Sequence, residues 1–322
     1  MRVPFVHVSA ALLAALLWWP GVAPASAQAT AAAPPAGAIT ADRLMDTVRE
    51  LTSEPYAGRR VGTPGGIRAR DWIRARYRTI GLEPVGDGFD QPFTFTPGKG
   101  GAQGGGGERV QGANLIGRCA GTDPSRPAIV VSAHYDHLGV REGRTYPGAD
   151  DNASGVAVLL ELAAICTANP FRHDLLFVAF DAEEGGLNGA RAFMAAPPLP
   201  KARLALDVNL DMVARGDKGE LYVAGLHHTP ALRAILSPVA ERAPIAVRFG
   251  HDLPGSGHDD WTDQSDHGVF HAAGIPFVYF GVEDHPDYHK PTDTADRIDP
   301  VFFAKAATVI LDALRALDQH LP

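Results

Sequence analysis

The chain has 322 residues, 45% hydrophobic and 20% charged, with 29 basic against 37 acidic side chains and a formal net charge of -8. That composition excludes a disordered, collagen-like or coiled-coil chain, and the acidic balance argues against nucleic acid as a partner, because neutralising phosphates needs a basic surface. Two cysteines in this length exclude a disulfide-stapled miniprotein and a cysteine-rich zinc module.

Taken in chain order, Arg2, the apolar run Val8 to Trp19 and Ala25-Ser26-Ala27 form the n-region, h-region and cleavage site of a signal peptide spanning residues 1–27. The run is short for a transmembrane helix, so the expectation is a periplasmic or secreted protein with no membrane contact after cleavage. Residues 28–39 are Ala/Pro-rich and read as a flexible leader to a single domain over 40–322. Thr40 is the predicted N-cap of an amphipathic helix, ADRLMDTVREL, and a second helix runs from about Gly66 to Ile80, stopped by Gly81. Residues 98–107 are glycine-rich and predict a flexible surface loop.

From Asn114 onward, short β-rich runs alternate with helical stretches. NLIGRC, AIVVSA, LLFVAF, ALDVNL and IPFVYF have the length and composition of buried strands, and VAVLLELAAICTA that of a buried helix. A last helix over about 300–320 places Phe302, Ala306, Val309, Ile310 and Leu314 on one face. The pattern predicts an α/β three-layer sandwich with a mixed, mostly parallel central sheet flanked by helices.

Metal-type side chains fall where these strands end. His134 ends AIVVSA, Glu183 and Glu184 follow LLFVAF, and Asp211 directly ends ALDVNL. Asp150 and Asp151 precede a helix, and His289 lies in the loop after IPFVYF. Open α/β sheets bind ligands in the crevice beyond the carboxyl ends of their strands, so these groups are predicted to converge there.

HYDH at 134–137, PGADDNASG at 147–155, DAEEGGLNGA at 181–190, NLDM at 209–212, SDHGVF with AGIP within 265–276 and YHKPTDT at 288–294 occur in that order. Together they resemble the co-catalytic two-zinc exopeptidases, the family of secreted bacterial aminopeptidases and glutamate carboxypeptidase, over roughly residues 40–320. The resemblance implies the zinc exopeptidase (phosphorylase/hydrolase-like) fold and two zinc ions per chain. Asp150 is then expected to bridge them, with His134 and Asp211 completing one site and Glu184 and His289 the other. It further implies Glu183 as the general base, Tyr288 as a hydroxyl steadying the oxyanion, and Asp136 as the partner of the His134 ring. Asp151 is read as a helix-capping neighbour, His137 as a loop residue, and Asp266 and His267 as candidate pocket residues. A cis peptide is expected at Asp150–Asp151.

Three readings follow from the resemblance. The first is an aminopeptidase, or a carboxypeptidase of the same family. A glutaminyl cyclase is the second, although such cyclases hold one zinc and usually carry tryptophan where Tyr288 stands. A non-catalytic binding homologue is the third, and such proteins have lost ligands that this chain keeps. Acids dominate around the motifs, which favours a substrate with a free N-terminus; Arg215 is the one nearby candidate for clamping a carboxylate. Cys119 and Cys166 are left open: an oxidising compartment favours pairing, while the apolar face carrying Cys166 suits a free buried thiol. Oligomeric state is not readable.

Overall fold

The Thr40 side chain accepts the Arg43 backbone N–H, and helix α1 (Ala41–Leu51) starts there, burying Leu44, Met45, Val48 and Leu51. The computed structural model describes residues 1–2, 4, 38–97 and 107–322, so the predicted signal peptide, most of the leader and residues 98–106 of the glycine-rich loop lie outside the described residues. Contacts divide the chain after Pro34, and the fold is that of the unit Pro35–Pro322. After a short 3-10 turn (Glu54–Arg59), α2 (Pro64–Ile80) begins at the Thr63 cap, with Pro64 in its first turn where no N–H is needed. It ends at Gly81, whose φ of 87° is the left-handed stop predicted for it.

The sheet is built from β1 (Glu83–Pro84), β2 (Asp90–Phe95), β3 (Val110–Cys119), β4 (Ala128–His134), β7 (Leu175–Phe180), β8 (Leu204–Leu210), β9 (Glu220–Ala224), β10 (Ala246–Phe249) and β11 (Phe277–Gly281). A separate hairpin pairs β5 (Gly139–Arg141) with β6 (Arg144–Tyr146). The order is β1-β3-β7-β4-β8-β11-β9-β10, with β2 also on β3. The central run β7-β4-β8-β11 is parallel, whereas β3 and β9 flank it antiparallel.

Alternation along the central strands separates two cores. Ile129, Val131, Leu175, Phe177 and Ala179 face one side, packed under α1, α2, α3 (Gly155–Ala168), α5 (Ala231–Arg242) and α7 (Pro300–His320). Val130, Leu176, Val178 and Phe180 face the other, under α4 (Asn188–Ala195) and α6 (His267–Ala272). Burial on both faces is why these strands read as unbroken apolar runs rather than alternating ones. The 149–168 stretch is apolar and long enough to cross a membrane, yet 83% of its apolar window is buried in the unit, as suits a helix packed between the sheet and outer helices. Cys119 on β3 and Cys166 on α3 form a disulfide closing a sequence separation of 47. In the chain-entropy account such a loop contributes roughly 4 kcal/mol.

The strand and helix ends differ from expectation at several places. β3 starts at Val110, ahead of NLIGRC, because β2 pairs with its first half; β2, β9, β10 and the hairpin were not predicted. These segments are three to six residues long, too short for alternation to stand out in the sequence.

Candidate metal centre and active-site cleft

The parallel strands end at one crevice. His134 is the last residue of β4, Asp211 directly follows β8, and Glu183 and Glu184 leave β7 through a turn at Ala182. Four of the eight non-glycine residues with positive φ among the described residues, Ala182, Leu187, Met212 and His289, belong to segments lining this crevice. Backbone held in a sparsely populated region concentrates at functional sites, where surrounding packing enforces it.

Two rows of ligand-type atoms meet at Asp151. Its Oδ1 lies 3.3 Å from His134 Nε2, which is also 3.3 Å from Asp211 Oδ1. Its Oδ2 lies 3.1 Å from His289 Nε2 and 3.6 Å from His137 Nδ1. Glu184 reaches both of these imidazoles, with Oε2 3.2 Å from His289 Nε2 and Oε1 2.7 Å from His137 Nδ1. His134, Asp151 and Asp211 form one cluster with ligand atoms within 4.8 Å of one another, and His137, Asp151 and Glu184 form a second. His137 Nδ1, Asp151 Oδ2 and Glu184 Oε1 are buried with no hydrogen-bond partner. Buried polar atoms are rarely left so, and a divalent cation among them satisfies all three. Imidazole and carboxylate donors in this number suit zinc.

The expected bridge is therefore corrected by one residue. Asp150 does not reach the cluster: its Oδ1 accepts the Ala214 backbone N–H at 2.8 Å, and its Oδ2 faces His285 Nε2 at 3.3 Å. Asp151 and Asn152 leave helical geometry, at φ -101°, ψ 94° and φ -132°, ψ 44°, so adjacent side chains point to opposite sides and only Asp151 faces the crevice. The cis peptide likewise falls at Asp151–Asn152, not at Asp150–Asp151. Nor does Asp151 cap α3. Asn152 does, through Oδ1 accepting the Gly155 N–H at 2.9 Å, while its Nδ2 donates to the Leu210 carbonyl and ties the turn to β8. The Asp293 carboxylate accepts the backbone N–H groups of both Asp150 and Asp151.

Other sequence-predicted residues take these places. Asp136 orients the His134 ring through its backbone oxygen, 3.1 Å from Nδ1, while its carboxylate accepts the Glu183 N–H at 2.9 Å. Glu183 borders the open side of the first cluster, with Oε2 4.0 Å from His134 Nε2. Burial holds its carboxyl well above the usual range, opposed by His134 and reinforced by the Glu184, Asp266 and Asp211 carboxylates. Tyr288 stacks on His289 at 4.0 Å, and burial with nearby carboxylates pushes its phenol up, so it stays a proton-bearing donor. Asp266 is fully buried and is not among the cleft's lining residues, its carboxyl raised to about 7 by burial.

His267 is not a pocket residue. Its ring packs on Phe277 and Tyr279, and its nitrogens meet the Trp261 carbonyl at 2.8 Å and Asn209 Nδ2 at 3.3 Å, so burial keeps it neutral, with its pKa lowered to about 3. Arg215 is a brace: it forks onto Asp217 at 3.0–3.1 Å and meets Asp287 at 2.9 Å. It lines a neighbouring cavity instead of the crevice. The crevice is a cleft of about 270 Å³, walled by His134, Asp151, Glu184, Asp211 and His289 with Glu183, Gly186, Leu187, Met212, Gln264 and Tyr288; no lysine or arginine is among its lining residues, and His137 lies behind them.

Sequence reasoning missed Arg59. It is fully buried, donating to the carbonyls of Leu51, Tyr135, Pro147 and Gly148, and so joins the loop after β4 to the loop that carries Asp151. Nothing in AGRRVGT separates it from exposed neighbours, because its burial is created only when both loops arrive.

The model of Peptidase family M28 matches residues 114–314, a stretch that contains all of these ligand-type residues. The chain belongs to peptidase family M28. Among M28 relatives, it is 32% identical over 214 residues to aminopeptidase YwaD of Bacillus subtilis, covering 62% of this chain and 44% of that protein. The chain spans about half the length of the curated relatives it matches. The M28 fold is shared with an aminopeptidase from Aneurinibacillus sp. strain AM-1, at a TM-score of 0.68 and 21% identity over 86% of this chain and 93% of that one. It is shared equally with the Porphyromonas gingivalis glutaminyl cyclase, at a TM-score of 0.69 and 19% identity over 88% and 99% of the two chains.

Proposed function

We propose that this protein is an exported zinc aminopeptidase that removes N-terminal residues from peptides with two metal ions. Asp151 is the shared ligand, His134 and Asp211 hold one ion, and Glu184 and His289 hold the other. A bound zinc pair supplies Lewis acidity that polarises the scissile carbonyl and acidifies an attacking water. Glu183 is positioned beside the first cluster, at the cleft wall, to accept that water's proton and pass it to the leaving amine. Tyr288 is the neutral donor at the cleft wall for the developing oxyanion. The signal-peptide pattern of residues 1–27 and the Cys119–Cys166 disulfide support export to an oxidising compartment.

The observation that carries substrate polarity is the charge of the cleft. The cleft has no lysine or arginine among its lining residues to grip a terminal carboxylate, since Arg215 is committed to Asp217 and Asp287 elsewhere. Kinetics of the zinc-loaded protein on a dipeptide and on its N-acetyl form test this. The free dipeptide is expected to be cleaved faster by at least ~10-fold, on the order of one charged hydrogen bond. Equal or faster cleavage of the acetylated form refutes an aminopeptidase, and cyclisation of an N-terminal glutaminyl peptide without hydrolysis identifies a cyclase.

A further inference from the structure

We infer that His137 is a metal ligand, so that the ion held by Asp151, Glu184 and His289 has four protein ligands while the ion at His134 has three. The inference rests on the two-metal reading above and adds to it a residue that a loop position after HYD does not suggest. His137 is fully buried, and neither ring nitrogen has a hydrogen-bond partner among the described residues. Buried polar groups are rarely left unpaired, so a cation at the Nδ1 lone pair accounts for this imidazole. Its Nδ1 lies 2.7 Å from Glu184 Oε1 and 3.6 Å from Asp151 Oδ2, the three residues of one ligand-type cluster. Ligand-type atoms within 4.8 Å of one another, all buried, are placed to share one cation. The His289 ring stands beside it, with centroids 5.9 Å apart, and reaches the same Asp151 and Glu184 oxygens.

The ring's position is fixed by its neighbours. Gly148, at φ +60°, lies against its face, and a Cβ there would fall 2.6 Å from the His137 Cγ and Cδ2 atoms. The glycine that opens GADDNASG thus makes room for His137 as well as turning the chain. The consequence is an asymmetric pair. Of two zinc ions that act together, the one with four protein ligands is held more tightly and the one with three is the more open to water. The open one is the His134–Asp151–Asp211 cluster, and Glu183 is the carboxylate beside it.

Titration of the full chain with Co²⁺, followed by d–d absorption and by paramagnetic NMR of imidazole N–H signals, tests the assignment. The wild-type protein is expected to take two equivalents, the tighter one at the four-ligand site, with three shifted imidazoles. His137→Ala should remove one imidazole signal and weaken the tighter equivalent more than ~100-fold, beyond the 10–100-fold expected when only a supporting partner is lost. The weaker equivalent should stay within ~3-fold of its original affinity. His137→Gln, which preserves the volume against Gly148, guards against misfolding and should lose the same signal. Two equivalents with unchanged affinities and all imidazole signals retained in both variants overturn the role of His137 and leave the two-metal reading standing. Failure of the wild-type protein to bind more than one Co²⁺ overturns that reading itself.

Discussion

Replacing Glu183 with Gln is expected to lower kcat by about 10²–10⁴-fold, the range that positioned general bases contribute, while both metals stay bound. The two glutamates after β7 face different ways. Glu184 points to His137 and His289, whereas Glu183 points into the cleft beside His134, with its backbone fixed by Asp136. Glutamine keeps the shape and removes only the group that takes a proton, so KM should change little. Glu184→Gln is the contrasting substitution, and it should lower metal content before it lowers turnover. Retention of more than about a tenth of the activity by Glu183→Gln, with metal content intact, removes Glu183 from the mechanism.

Arg59→Met is expected to destabilise the fold by about 4 kcal/mol or more and to lower Tm by on the order of 10 °C. The guanidinium donates to four carbonyls, at the C-terminal end of α1 (Leu51), after β4 (Tyr135) and in the loop that carries Asp151 (Pro147 and Gly148), and methionine fills its volume without supplying any N–H. It is also a buried positive charge among acids. Burial lowers its pKa to about 10, and the Asp151, Asp293, Asp136 and Glu184 carboxylates act against that, so it remains a cation at neutral pH. Removing one member of such a buried charge set leaves the others uncompensated. Arg59→Lys keeps the charge but cannot span four acceptors, so its loss should be intermediate. Chemical denaturation of the metal-free proteins measures the effect without mixing in metal binding, and a loss below ~1 kcal/mol for Arg59→Met contradicts the bracing role.

The central strands and their helices were legible because burial on both faces writes an unbroken apolar run. LLFVAF and the last helix were read with their observed boundaries. The site was legible for a related reason, since a sheet of this kind collects strand ends in one place. His134, Glu183, Glu184, Asp211 and His289 all lie there. Reading failed where the answer depends on a single backbone rotation. Adjacent aspartates look alike in sequence, and only the extended turn at 151–152 decides which one faces the cleft. His137 reads as a loop residue and Arg59 gives no signal for another reason: each is buried by a segment distant in the chain, Glu184 with Gly148 in one case and the Pro147–Gly148 carbonyls in the other. His267 and Arg215 show the converse, as polar residues near the motifs whose hydrogen bonds are spent on structure.

Anomalous scattering at the zinc edge, from crystals of the zinc-loaded protein, tests the central claim most directly. Two peaks are expected about 3.5–4 Å apart, one on each oxygen of the Asp151 carboxylate, the first against His134 and Asp211 and the second against Glu184 and His289. A single peak, or a peak bound by Asp150 in place of Asp151, would contradict it.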